Sequence, residues 1–182
     1  MKDDEPHLHY VATRGEAEEL VARFDKFWVA DCGCREGGPG CRRSRADVCL
    51  HFDTQAVGAD IDFREVDADF VAGILKEAEE KRLVVRPFRY EQDKTRVQGI
   101  CFCCDDCCGY FTEAEKYECD KGRFVARIDA EACAACGTCV DVCHFGAREI
   151  TGGELAFADE KCYGCGLCAD VCPEQCVTMA AR

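Results

Sequence analysis

Eight of the 19 cysteines fall into two runs of one pattern: Cys133, Cys136, Cys139 and Cys143, then Cys162, Cys165, Cys168 and Cys172. Each run reads C-x2-C-x2-C-x3-C, and Cys162 lies 29 residues after Cys133. That spacing suits four thiolates around a 4Fe-4S cubane, with the fourth cysteine of each run serving the cluster of the other run. The expected sets are therefore Cys133, Cys136, Cys139 and Cys172 for one cluster, and Cys162, Cys165, Cys168 and Cys143 for the second. Three thiolates from C-x2-C-x2-C wrap one corner of a cubane, and the loop cannot close over all four irons, so the last ligand must come from elsewhere. The chemistry such sites offer is one-electron transfer.

Eleven cysteines remain. Cys32, Cys34, Cys41 and Cys49 lie among glycines within 18 residues, and Cys101, Cys103, Cys104, Cys107 and Cys108 form a second group. Adjacent cysteines diverge on an extended chain, so the second group is expected to divide its sulfurs between sites. Three allocations are open. Each segment holds its own cubane, the segments interleave over two, or one extra cluster forms and spare thiols pack or bind zinc, which also takes four thiolates. Two extra clusters, four in total, are the expectation. Cys119 fits no pattern and is read as free. Cys176 aligns with Ala147 in the repeat and is read as a packing residue, since a free thiol behaves as a small hydrophobe.

Cysteine at this density signals either a disulfide scaffold or a metal protein. The odd count, the short regular spacings and the polar start MKDDEPHLHY favour metal and a reducing, cytoplasmic setting. No apolar run is long enough to span a membrane. The formal net charge of −13 argues against nucleic acid, which needs a basic face. An oxidised cubane with its thiolates adds about −2, so two clusters bring the total to about −17 and four to about −21. The expected partners are redox proteins with a basic docking surface; the oligomeric state is not legible.

Catalytic signals are sparse. There is no paired-carboxylate frame and no dinucleotide-binding fingerprint; the glycine-rich stretch 36–40 reads as a bend around metal. Among the histidines outside the repeat, only His51, two residues after Cys49, is weighed as a ligand. An electron carrier or wire subunit is the expectation, with a redox enzyme or reductive activator bearing a substrate-reachable cluster as the alternative.

The elements that must position these cysteines are partly legible. Thr13 and Glu16 form a capping-box pair, and Ala17, Leu20, Val21, Phe24 and Trp28 recur at helical spacing, predicting a helix over 13–28. Asp67 or Asp69 caps a second helix over 67–82, with Phe70, Val71, Ile74, Leu75 and Ala78 on its apolar face. Residues 31–52 read as a loop. Residues 83–88 and 97–102 read as strands, the first at an edge because of Pro87. From about Phe124, each half of the repeat reads as strand, cluster loop, helical turn and closing strand, the closing strands lying near Glu149–Ile150 and Val177–Met179. Gly137, Gly164 and Gly166 suit the tight loops.

The stretch over about 125–182 resembles a bacterial-type two-cluster ferredoxin. That family places proline after the fourth cysteine, as at Cys172-Pro173, but the first half has Cys143-His144; a surface histidine is the reading favoured there over an imidazole that tunes the cluster. Residues 28–182 as a whole resemble a larger group of anaerobe ferredoxin-like proteins. The residues that carry this likeness are Asp31-Cys32-Gly33-Cys34-Arg35, Cys41, Cys49-Leu50, the 101–108 run and the C-terminal repeat. The expected fold is α+β: a cysteine-rich metal-binding region over 1–122, then a pseudo-symmetric two-cluster module over 123–182.

Overall fold

The structure, a computed structural model, describes residues 5–37, 40–55, 61–113 and 116–182. The stretch 36–40 therefore lies partly outside the described residues. Helix α1 (Arg14–Val21) begins as the sequence predicts. The Glu16 N–H donates to Thr13 Oγ1 at 3.2 Å, and the Thr13 N–H donates to Glu16 Oε2 at 2.8 Å. A cap of this kind stabilises a helix by about 1 kcal/mol.

The helix ends two turns earlier than its apolar stripe suggests. The N–H groups of Arg23 and Phe24 turn back to the carbonyls three residues before them, tightening the chain. Phe27–Ala30 then forms strand β1, which pairs on both sides. Phe24 instead stacks on Phe52, with ring centroids 4.0 Å apart. Helical spacing at Phe24 and Trp28 was a coincidence of period, because strand pairing satisfies more backbone groups there than a further helical turn would.

The region read as a loop also contains structure: α2 (Gly33–Glu36) and β2 (Cys49–His51). After β3 (Arg64–Val66), helix α3 (Ala68–Glu80) matches its expectation, with Asp67 Oδ1 accepting from the Phe70 N–H at 2.8 Å. Strands β4 (Val84–Arg89) and β5 (Val97–Cys103) complete an antiparallel sheet of order β3-β1-β2-β5-β4. Pro87 lies on the edge strand as expected, and residues 9–12 partly cover that edge through bridges to Phe88 and Val85.

The two faces of this sheet differ because side chains alternate along a strand. Phe27, Val29, Leu50, Val85, Ile100 and Phe102 pack with Ala17, Leu20, Val71, Ile74 and Ala78 in the main apolar core. The other face carries the chemistry. Register pairs Ala30 with Cys49 and Arg86 with Cys101, and Leu50 with Ile100, so Cys49 and Cys101 lie side by side.

The C-terminal part is built from smaller pieces. After α4 (Gly109–Thr112), β6 (Phe124–Ile128) pairs with the last strand, β9 (Val177–Ala181), and β7 (Arg148–Thr151) pairs with β8 (Glu154–Phe157). Short helices α5 (Thr138–Asp141) and α6 (Leu167–Asp170) each follow a glycine in the left-handed region, Gly137 at φ 82° and Gly166 at φ 84°. Helix and strand are thus mixed as α+β. Among the described residues, no helix is long and apolar enough to cross a membrane.

Asp120 ties the N-terminal segment to the start of this part. Its carboxylate accepts from the His7 N–H at 3.2 Å, from His7 Nδ1 at 2.7 Å and from Arg89 Nη1 at 2.7 Å. Partial burial alone would raise its pKa, but the bonds from His7 and Arg89 outweigh that and hold it below the usual carboxylate value. A depressed carboxyl contributes stability above its unfolded pKa of about 3.9 and loses it as pH falls through the lower folded value. Asp120→Asn should therefore destabilise the protein by roughly 1 kcal/mol at pH 7. Anaerobic urea titrations should show that difference shrinking towards zero as pH falls through the lowered folded value.

Candidate metal centres

Eighteen of the 19 cysteines gather around three cavities and one tight trio. One C-terminal cavity is lined by Cys133, Cys136, Cys139 and Cys172, with Leu155 and Val177 among its apolar walls. The next is lined by Cys143, Cys162, Cys165 and Cys168, with Phe145, Phe157 and Met179. Each cavity collects three sulfurs from one run and one from the other. Local donors already face the sulfurs. The Ala147 N–H donates to Cys143 Sγ at 3.3 Å, and Thr138 Oγ1 lies 3.4 Å from Cys136 Sγ. The Thr138 hydroxyl and N–H hold the Cys136 thiol below its ordinary pKa. Burial pushes the Cys165 thiol up to about 12 and the Cys168 thiol up to about 11. As isolated side chains these two would stay protonated at neutral pH, so coordination of a metal is what removes their protons.

The third cavity, of about 130 Å³, lies on the cysteine-bearing side of the sheet. Cys32 and Cys34 reach it from the start of α2, Cys49 from β2, Cys101 and Cys103 from β5, and Cys108 from the start of α4. His9 also lines it, with Nε2 3.8 Å from Cys101 Sγ. Burial, with the Arg86 cation second, pushes His9 down to about 4, so the imidazole is neutral at pH 7. Cys104 and Cys107 sit at the rim of this cavity and meet Cys41, with Sγ–Sγ distances of 3.5 Å from Cys104 to each of the other two. Residues 63 positions apart thus share one sulfur group.

Three guanidinium groups test whether these sites fit an anionic cluster. Arg35, Arg86 and Arg148 are only 4–5% exposed. Among the described residues none of them has a carboxylate within ion-pair distance. Arg86 Nη1 lies 3.6 Å from Cys103 Sγ and 3.7 Å from Cys108 Sγ, with its guanidinium 4.0 Å over the Tyr110 ring. Arg148 Nη1 lies 3.7 Å from Cys139 Sγ and also lines the cavity of Cys168, so it stands between the two C-terminal sites. Arg86 Nε and Arg148 Nη2 are buried without a hydrogen-bond partner. A buried, unpaired charge costs several kcal/mol, and neutral thiols do not offset it. Thiolate-bound clusters, which carry net negative charge, do, so the residues present fit 4Fe-4S groups.

The second C-terminal cavity abuts the N-terminal one. Val11, Val84, Cys103, Cys108, Tyr110, Cys119 and Leu167 form one buried group, with Phe145, Tyr163 and Cys165 packed against it. Tyr110 lies 6.2 Å from Tyr163, which stacks on Phe145 at 4.6 Å. The first cavity faces outward, and Cys136 is exposed.

Several single residues find their places. Cys119 is buried in that shared group and lines none of these cavities. Cys176 is buried as expected, but it lines the first cavity and its Sγ is 3.4 Å from that of Cys172. His51 is wedged between Phe63 and Phe88. His144, weighed as a surface histidine against a cluster-tuning one, lines neither C-terminal cavity and is not on the surface. Its side chain is 4% exposed, with Nε2 3.2 Å from the Arg82 carbonyl and Nδ1 3.5 Å from Asp105. It joins the two parts of the chain. The three arginines escaped sequence reasoning, although an arginine inside the otherwise apolar run LVVRPF was a visible signal.

A family model for a 4Fe-4S dicluster domain matches residues 126–179. No curated protein matches the chain. The C-terminal part is thus a ferredoxin-like domain that holds 4Fe-4S clusters, and the chain is an iron–sulfur, metal-binding protein of the electron-transport class. A buried cation favours the extra electron of a reduced cluster. Arg148→Leu should therefore lower the C-terminal potentials by about 60 mV, a tenfold shift for a one-electron couple, while Arg148→Lys should retain most of the wild-type value. Protein-film voltammetry reads both.

Proposed function

We propose that this chain is an electron-transfer relay, a carrier or wire subunit of a larger redox complex. Residues 123–182 would form a pseudo-symmetric two-cluster module of the bacterial ferredoxin type, and residues 1–122 would hold at least one further centre. The observation that carries this reading is the way each C-terminal cavity draws three sulfurs from one run and the fourth from the other. It supports Cys133, Cys136, Cys139 and Cys172 as one ligand set, and Cys162, Cys165, Cys168 and Cys143 as the second. Clusters bound there supply one-electron storage. The protein's own part is to hold the thiolates, exclude water and place cations beside them.

The packing supports an order. Tyr110, Leu167 and Tyr163 fill the space between the N-terminal cysteine cavity and the cavity of Cys165, leaving no solvent layer between the two parts. Exposed Cys136 marks the opposite end, with Glu174 on the rim of its cavity and Asp129, Glu131 and Asp141 exposed on flanking segments. A redox partner with a basic face fits that end. The meeting of Cys41 with Cys104 and Cys107 favours interleaved use of the two N-terminal cysteine segments over one centre per segment.

A second reading, a redox enzyme, has one observation in its favour. An open cavity of about 770 Å³ reaches Cys49 and Cys101 past His9, His51 and Asp62. A small substrate bound there would sit beside the N-terminal centre.

Iron and sulfide analysis with EPR separates these outcomes. The anaerobically purified chain should hold at least about 8 iron and 8 sulfide, and reduction should develop cubane signals. Fewer than about 8 iron would overturn the two-cluster assignment. Cys165→Ser should slow electron passage to the N-terminal centre without a substrate-specific defect. An N-terminal signal that changes when a small substrate is added would favour the enzyme.

A further inference from the structure

Cys41, Cys104 and Cys107 differ from the other cysteines in how tightly they group. Their three sulfurs all lie within 4.8 Å of one another, and among the described residues no other three Cys, His, Asp or Glu ligand atoms come so close. The nine cysteines that line the C-terminal cavities provide the contrast, since no three of their sulfurs are grouped at that distance. In a cubane each thiolate caps a different iron, so the sulfurs stand around a body several atoms across. Around a single tetrahedral ion with metal–sulfur bonds of about 2.3 Å, ligand sulfurs lie about 3.8 Å apart. Two of the three observed separations are 3.5 Å and the third lies within 4.8 Å, which is the scale of a single ion.

We propose that Cys41, Cys104 and Cys107 form a single-ion thiolate centre for zinc, beside the iron–sulfur sites. Groups that are not ligands hold it in shape. The buried Arg35 guanidinium donates from Nη2 to the Phe102 carbonyl at 2.7 Å, and from Nη1 to Ser44 Oγ at 3.1 Å and to the Arg45 carbonyl. It thereby ties the loop after Cys41 to the end of β5, where Cys104 begins. On the outer side, Arg42 pairs with Asp106 and Arg43 with Asp105, joining the same two segments again. A divalent ion on three thiolates carries one net negative charge, which suits a buried cation nearby.

Thiolate softness selects zinc over magnesium or calcium. Cys104 is buried, while Cys41 and Cys107 are partly exposed, so one side of the ion faces solvent. With three protein ligands, the fourth position is open to water or a small added ligand. The inference rests on the electron-transfer reading only in how the nine N-terminal cysteines are shared. It leaves Cys32, Cys34, Cys49, Cys101, Cys103 and Cys108 for the cluster of the N-terminal cavity.

The test uses the full chain, purified anaerobically from zinc-supplemented medium, with zinc, iron and sulfide measured together. The expected result is about one zinc per chain in the wild type, falling at least tenfold in Cys41→Ser and in Cys107→Ser with iron and sulfide unchanged. Zinc-edge X-ray absorption on the unaltered chain should show about three sulfur neighbours, which decides the matter even where a variant fails to fold. Wild-type protein without zinc, or iron in place of zinc at this position, overturns the assignment. So does a loss of about four iron and four sulfide from either variant with zinc unchanged, since the trio would then belong to a cubane. The electron-transfer reading fails on a different measurement, the absence of C-terminal cubane signals, which zinc content does not affect.

Discussion

Charge balance around buried sulfur is the constraint on which the rest of this structure depends. Arg35, Arg86 and Arg148 are buried without carboxylates, and each is surrounded by cysteine side chains or by the loops that carry them. A protein does not keep three such cations in its interior unless an anion is fixed beside them. Here no carboxylate fills that place, and the groups beside Arg86 and Arg148 are cysteine sulfurs. In the C-terminal part, where 4Fe-4S clusters supply the negative charge beside Arg148, folding and cofactor loading are therefore coupled in electrostatic terms.

The sheet explains why the cysteine spacings differ between the two ends. On β5 the side chains alternate, so Ile100 and Phe102 enter the apolar core while Cys101 and Cys103 reach the opposite face. C-x-C is thus the spacing of a strand that turns sulfur to one side and apolar side chains to a core on the other. In the C-terminal part the cysteines lie on loops and single helical turns, where C-x2-C brings successive sulfurs to one side. One chain uses two backbone periods for the same purpose.

What the sequence disclosed follows from that division. The gathering of the eight C-terminal cysteines around two cavities was legible because their spacing is local and repeated. Helix α3 was legible because its cap and stripe agree with its packing. Strand β1 was hidden, since Phe24 and Trp28 happen to continue a helical stripe, and only pairing with β2 and β3 decides the matter. The grouping of Cys41 with Cys104 and Cys107 was hidden for a stronger reason. No local rule brings together residues 63 positions apart in a loop between β1 and β2 and at the end of β5, so several allocations stayed open. His144 is the opposite case. The missing proline was visible, but the purpose of the imidazole depends on Asp105 and Arg82, which are distant in sequence.

The buried group that contains Val11, Val84, Tyr110 and Leu167 bears on how this protein can be taken apart. The junction near residue 122 looks like a seam between two modules, yet the apolar surface beneath it is common property. Arg182, the last residue, donates back to the Gly122 carbonyl across the same line. A gene cut there would yield two fragments with sticky faces rather than a free ferredoxin and a free metal domain. The chain has the parts list of a fusion but the construction of a single piece, and exchange of its C-terminal third for another ferredoxin would have to rebuild that face residue by residue.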